Sequence, residues 1–376
     1  MAARAQSVAV VGAGVVGLSA ARSLLQAGHS VVVYDRAEVP NPHASSVDAS
    51  RLIRHTYGDK LGYARMVDPA YAAWDRLWAE LGETLYQPTG TLILARPGAQ
   101  WAHDSAATLD RLGIAYKPLD AAAAARHFPL LNLAGIDSAY LVPTGGVLAA
   151  ERIVAALTER VRALGGTVRS GAGVAAVDAG GRVALDDGTE LRADAVVVAA
   201  GPWTARLWPE LADQLTPSRQ LVSYAAVPDE LAEAWSGMPM VLDIGADSGV
   251  YAVPPVHGAP LKLGDHAFSL TGDPDCAREP GATELEELFA RAARQLAAPE
   301  RYRLLSGRTC FYTVAEAERF QYRRAGRVHV LAGFSGHGFK FGPLIGERVA
   351  ELLNGTLAPD DFETWLAGEG AESPSS

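Results

Sequence analysis

A short apolar run, Ser7–Val11, passes into Gly12-Ala13-Gly14-Val15-Val16-Gly17 and then into a helical stretch, Leu18–Gln26, closed by Gly28. A second apolar run, Ser30–Tyr34, follows and ends at Asp35. Strand, glycine turn, helix, strand and acid in this order point to a parallel βαβ unit of the dinucleotide-binding kind. Gly12 permits the tight turn, Gly14 lets the backbone approach a pyrophosphate, and Gly17 allows the helix to lie close to the strand. The helix N-terminus offers amides and a favourable dipole to phosphates. Asp35 is placed to accept hydrogen bonds from a ribose hydroxyl. The glycine triplet alone is a weak signal and fits an empty glycine-rich turn equally well; the flanking strands and the acid make it specific.

A chain of 376 residues can bury most of its apolar surface, and its length favours two domains. Hydrophobic content of 49% with 20% charged residues is that of a globular protein. A formal net charge of −10 argues against nucleic acid as a partner, though a local basic pocket can still take an anion. Met1–Ser7 is polar and no apolar run is long enough to cross a bilayer, so neither a secretory signal nor a membrane partner is expected. Two cysteines make no disulfide framework, and the cytoplasm is the expected compartment.

Further along, Asp68–Leu81 reads as an amphipathic helix whose Tyr71, Trp74 and Trp78 are expected to pack in the core. Ala106–Leu112, Ala121–His127 and Ala149–Leu164 read as helices, and Thr91–Ala95 as a strand. Short strands are expected at Thr167–Arg169, Val174–Asp178 and Arg182–Leu185. The valine-rich run Ala193–Ala200 ends at Gly201 like a late strand of a dinucleotide-binding sheet. From Pro217 to Ser306 the pattern turns strand-like, with Leu221–Val227, Val250–Val253 and one charged helix, Thr283–Leu296, as in an inserted antiparallel sheet. His329–Leu331 and Gly346–Leu353 read as a buried strand and a closing helix, and the small polar tail Gly368–Ser376 as disordered.

Rare residues stand in unusual strings. Cys310 lies in Gly-Arg-Thr-Cys-Phe-Tyr-Thr at 307–313, upstream of Gly-Phe-Ser-Gly-His-Gly-Phe-Lys at 333–340. Lysine occurs only at Lys60, Lys117, Lys262 and Lys340 among 33 basic residues, so a lysine inside a motif carries weight. With the glycine fingerprint, Ser50-Arg51-Leu52-Ile53-Arg54-His55 and Leu261-Lys262-Leu263-Gly264-Asp265-His266, these strings resemble the monomeric sarcosine oxidase and N-methyltryptophan oxidase family. That family sits within the wider D-amino-acid-oxidase-like flavoproteins. The resemblance spans nearly the whole chain and keeps the order of all five segments.

The resemblance implies an α/β plus α+β architecture: a discontinuous FAD-binding Rossmann-type domain (1–82, 146–216 and 308–376) with an inserted antiparallel-sheet substrate domain (83–145 and 217–307). It implies FAD, a small amino-acid-like substrate, a monomer, and an oxidase of CH–NH donors. Hydride would pass to the flavin, and oxygen would become hydrogen peroxide. Carried over by position, Cys310 matches the cysteine that holds the flavin through a thioether, and Arg54 with Lys340 matches the pair that grips the substrate carboxylate. Lys262 matches the lysine at the flavin's oxygen-reacting face, and Arg51 an arginine near the flavin ring. His266, Tyr251 and Tyr312 match polar residues of the substrate cavity. Cofactor contacts are further implied for Gly12, Gly14, Gly17, Asp35, Arg36, Ser50, Val174, Gly201, Gly336, Gly338 and Lys340, and no metal ligand is.

The side-chain chemistry agrees with these roles and leaves alternatives open. A planar guanidinium and a point ammonium suit a carboxylate; the weaker alternative for Arg54 is a structural ion pair with Asp48 or Asp59. A thiol is a nucleophile near positive charge, yet Cys310 could be a small buried thiol. Lys262, between two leucines, fits a fixed cation beside reduced oxygen or a surface lysine on an alternating strand. Two departures stand out: Val47 where many sarcosine oxidases carry histidine, and Asp265 where an aromatic is often found. Both point away from sarcosine towards a bulkier N-substituted or cyclic imino acid. Rival readings are a dehydrogenase or imine-forming biosynthetic enzyme that passes electrons elsewhere, a non-catalytic flavin-binding module, and a nicotinamide dehydrogenase.

Overall fold

The computed structural model describes residues 4–244 and 249–369. Two large sheets divide it. The first has the order Gln321–Ala325, Val328–Ala332, Ala195–Val198, Ser7–Val11, Ser30–Tyr34, Thr167–Arg169. All its neighbours run parallel except the edge strand Gln321–Ala325. Parallel strands covered on both faces need apolar residues throughout, and Val8, Val10, Val33, Val196, Val197 and Val330 are all buried. The order reverses at Ser7–Val11, which pairs with Ser30–Tyr34 on one side and Ala195–Val198 on the other. Such a reversal opens a crevice at the strand ends, the usual ligand site of an open α/β sheet.

The first helix begins at Val15, directly after Gly14, and packs against Gly342–Leu353 and Ala150–Ala163. It therefore starts a turn earlier than the apolar pattern indicated, inside the fingerprint, because the glycine turn itself feeds the first turn of helix.

The second sheet is mixed, in the order Arg303–Ala315, Leu215–Ala226, Leu261–Asp265, Val250–Val253, Met240–Asp243, Thr91–Ala95, Ser138–Val142, Lys117–Asp120. Its one parallel pairing joins Met240–Asp243 to Thr91–Ala95. Its two longest strands, Leu215–Ala226 and Arg303–Ala315, pair along almost their whole length. Pro217 is tolerated because there the strand has a partner on one side only. The strand Arg303–Ala315 runs unbroken through the expected boundary at 307/308, so Cys310 stands on the second sheet.

A small sheet of Arg51–Ile53, Gly146–Leu148 and Tyr86–Pro88 lies between the sequence segments of the large ones. A helix at Pro359–Leu366 was not expected; its buried Phe362 and Leu366 give too short a pattern to read. Within the tail, positions 370–376 lie outside the described residues. Among the described residues no helix is long and apolar enough to cross a membrane.

Candidate active site

Three contiguous cavities run from the glycine turn to the second sheet. The first, about 300 Å³, is lined by Gly12, Gly14, Asp35, Arg36, Val174 and Gly201 among others. The second, about 90 Å³, continues past Gly14 and Gly201 to Arg51, Tyr312, Gly336 and Gly338. The third, also about 90 Å³, holds Ser50, Arg51, Arg54, Tyr251, Lys262, His266, Cys310, Tyr312 and Lys340. The sequence candidates are thus brought together along one channel. Gly17 alone lines none of these cavities; a Cβ there would lie 1.9 Å from the Gly12 carbonyl oxygen, so it serves helix–strand contact.

At the end beside the glycine turn, Gly12 has φ +105°, and a Cβ would lie 2.4 Å from the Ala199 carbonyl oxygen. Val15 N–H donates to Ser46 Oγ at 3.0 Å, and the first turn of the helix carries no acid. Asp35 accepts from Ala13 N–H (2.9 Å) and from Asn41 Nδ2 (2.9 Å), which fixes its carboxylate at the mouth of the turn. Arg36 is held by Asp275 at 2.8 Å and lies over the Trp203 ring.

In the third cavity the organising group is one the sequence reading passed over. Asp48 is buried on the loop before Arg51–Ile53. Its carboxylate accepts from Lys262 Nζ at 2.7 Å, from Ala49 N–H at 2.7 Å, from the Arg51 guanidinium and from the Tyr224 hydroxyl. Lys262 Nζ also donates to the Ser50 carbonyl at 3.1 Å. Burial pushes the Asp48 carboxyl up, but Lys262 and Arg51 outweigh it and hold the group well below its ordinary value. Asp48 was weighed only as a partner for Arg54; nothing local in sequence shows that a strand 214 residues away supplies its cation.

Alternation along Leu261–Asp265 explains Lys262. Leu261 and Leu263 join the core that includes Ala292 and Ala293 of the helix Ala282–Ala293, so Lys262 points the other way. That other face is covered by the Asp48–Ser50 loop rather than by water. The same alternation sends Asp265 towards the helix, where its carboxylate pairs with Arg291. Asp265 borders the cavity, and its carboxylate is engaged by Arg291. Val47 belongs to the buried apolar core.

Cys310 is buried, and Arg51 Nη2 lies 3.7 Å from its Sγ. Arg308, its near neighbour in sequence, turns its guanidinium to the Pro42 carbonyl. Cys276 is exposed and free, so the two thiols form no disulfide.

Arg54 and Lys340 differ from the Asp48 group. Arg54 lies over Tyr57 (5.2 Å) and Trp101 (5.3 Å) and forms no ion pair among the described residues. Lys340 is buried; its Nζ donates to the Tyr57 hydroxyl (2.8 Å) and the His337 carbonyl (3.1 Å), with no acid in reach of an ion pair among the described residues. Burial and then the Arg54 charge hold the Lys340 ammonium well below its ordinary value. Trp74 is core, as its helix pattern indicated, and its Nε1 also fixes the Lys340 carbonyl at 2.7 Å. A half-buried guanidinium and a buried amine thus share one cavity, with no ion pair to either among the described residues.

His266 is lowered to about 4 by burial and by the Arg54 charge, so it stays neutral near pH 7. Burial raises the Tyr251 hydroxyl, and burial followed by Cys310 raises Tyr312, so both remain protonated donors. Among the described residues no cluster of His, Cys, Asp and Glu could hold a metal ion.

A family model described as DAO, FAD dependent oxidoreductase, matches residues 7–352. An N-methyl-L-tryptophan oxidase of Yersinia pestis (strain Pestoides F) is 29% identical over 365 residues, covering 95% of this chain and 97% of the relative. NikD, described as an unusual amino acid oxidase essential for nikkomycin biosynthesis, shares the fold with a TM-score of 0.79 at 23% identity, over 99% of this chain and 100% of that one. L-proline dehydrogenase from P. horikoshii does so with a TM-score of 0.82 at 19% identity, over 96% and 97%.

Proposed function

This chain belongs to the DAO family of FAD-dependent oxidoreductases, and we propose that it oxidises a secondary (N-methyl or cyclic) or primary amino acid. The product is an imine that hydrolyses, and the electrons pass to oxygen to give hydrogen peroxide. The channel suits FAD. Gly12 cannot carry a side chain without meeting Ala199, and the first turn of the helix beside it carries no acid. Gly12, Gly14, Asp35, Arg36, Val174 and Gly201 would hold the nucleotide half. Ser50, Arg51, Cys310, Gly336 and Gly338 would hold the ring half. When bound, FAD accepts the hydride from the substrate carbon.

The observation that carries the reading is the unpaired cation pair Arg54 and Lys340 in the same cavity as Lys262 and Cys310. In this reading Arg54 grips the substrate carboxylate through its planar fork, and Lys340 adds a second donor. Held at that end, the substrate is oriented for reaction, where an error of about an ångström is costly. Tyr251, Tyr312 and the neutral His266 line the cavity around the amine. Lys262 supplies positive charge where oxygen is reduced. Cys310, with the Arg51 guanidinium beside its sulfur, is the atom we assign to a thioether with the flavin.

Oxygen uptake by the flavin-loaded protein across N-methyl, cyclic and primary amino acids is the direct test. One class should drive uptake matched by peroxide. Failure of every amino acid to bleach the flavin without air would sink the amino acid reading. Bleaching that persists after air is admitted would favour the dehydrogenase reading. Yellow colour that stays with acid-precipitated protein, and is lost in Cys310→Ser, checks the thioether.

A further inference from the structure

Lys262 and Arg51 come from distant parts of the chain, yet one carboxylate holds both. Asp48 Oδ2 takes Lys262 Nζ at 2.7 Å and the Arg51 guanidinium, while Oδ1 takes the Tyr224 hydroxyl and Ala49 N–H. The carboxylate is 2% exposed and Lys262 4%. A buried amine beside a guanidinium and without an anion is biased to its neutral form, since desolvation and mutual repulsion both act against the ammonium. Arg51 does not yield its proton, so the burden would fall on Lys262.

We propose that Asp48 is the positioning residue of the oxygen-reacting site, the internal counter-ion that keeps Lys262 an ammonium and fixes it against Arg51. This rests on the reading of Lys262 as the cation that faces oxygen. The groups facing Lys262 are Asp48 and Arg51 from the loop and first short strand, Tyr224 through Asp48, and Cys310 and Tyr312 from the long edge strand. Among the described residues Asp48 is the only acid in an ion pair with Lys262. The Tyr224 hydroxyl also donates to Asp48, which favours its ionised form. The triad keeps one net positive charge while burying only one charge that lacks its opposite.

The chain's four lysines make the test direct. With lysine labelled at the ε-carbon, the NMR titration of Lys262, assigned by its loss in Lys262→Met, is followed in wild type and in Asp48→Asn. The expected result is that Lys262 loses its proton roughly one to three pH units lower in Asp48→Asn. An unchanged titration overturns the proposal. The oxygen half-reaction is then read separately by mixing reduced enzyme with air. In Asp48→Asn reoxidation should slow as pH rises through the lowered Lys262 titration, whereas wild type should stay level there. If Lys262 titrates lower but reoxidation keeps its wild-type profile, counter-ion control of the charge stands and the oxygen-side reading of Lys262 fails. Should Asp48→Asn not fold, Asp48→Asn/Lys262→Met removes the orphaned cation and should regain folding. A double variant that stays unfolded also counts against the proposal.

Discussion

Within one cavity, Lys262 and Arg51 share the buried carboxylate of Asp48, whereas Arg54 and Lys340 share none among the described residues. The first group is electrostatically finished before any ligand arrives. The second is a half-buried guanidinium beside a buried amine whose ammonium form is disfavoured, with tyrosine and backbone oxygen in place of an acid. A protein tolerates such an incomplete pair where ligand binding completes it. The contrast separates a preset electrostatic surface from a binding site, and each can be attacked alone.

The largest effect should come from the finished group. Asp48→Ala orphans the buried Lys262 and the half-buried Arg51 and should cost about 3–5 kcal/mol of stability, measured by urea unfolding. Arg54→Ala removes a cation that has no acid, so its cost should stay within about 1 kcal/mol. Equal losses in the two variants would erase the distinction. The sign with pH follows from Asp48, whose folded value lies below the unfolded one. Its stabilisation is full above about pH 4 and is lost as pH falls towards the folded value. Asp48→Ala should therefore flatten part of the acid limb of the stability curve.

Ligand affinity should show the reverse ranking. For a simple carboxylate such as propionate, Arg54→Ala should weaken binding by roughly 10–100-fold, since a charge-assisted hydrogen bond is worth about 1.5–3 kcal/mol. An unchanged dissociation constant rules out the clamp. Asp48→Asn, if folded, should bind the same carboxylate within a few-fold of wild type.

The nucleotide end was legible because its signals are local. Turn, helix start and acid lie within one stretch, and the glycines act through their own backbone. The second sheet was legible in kind but not in order, since strands at 91–95 and 240–243 pair across a long stretch of chain. At the end of the channel that holds Lys262 and Lys340, resemblance supplied the residues, but their partners depend on packing. Alternation around Lys262 was read correctly, yet a strand's second face is solvent only if nothing covers it, and the Asp48–Ser50 loop does. Asp265 shows the same limit in reverse. Its place at the cavity edge is the one the sequence suggested, but its partner Arg291 lies on a helix that no local signal connects to it.

A smaller effect separates the two cations of the unpaired group. Burial and Arg54 lower Lys340 from its ordinary 10.5, so its ammonium is lost at lower pH than that of a free lysine. Propionate affinity should fall as pH rises through that lowered value, because the protonated form is the one that binds. Lys340→Met should bind weakly and lose this fall. A wild-type profile level up to pH 10 would show that the ammonium is not being depressed by its neighbour.

His266 should give the smallest effect and the finest test. It stands in the same cavity, near enough to Arg54 for that charge to add to burial in lowering it to about 4. A neutral imidazole cannot donate the proton that a histidine of ordinary value would release near pH 6.5. His266→Asn should therefore leave the pH profile of flavin reduction unmoved above about pH 5, with at most a modest change in rate from altered lining. Its mark should appear in stability. The unfolded chain takes up this proton near pH 6.5 and the folded one only near 4, so folding weakens as pH falls across that window. The variant should lose that part of the slope. A kinetic limb near pH 6.5 that vanishes in His266→Asn would instead place a titrating imidazole beside the substrate, which two unpaired cations next to it should not permit.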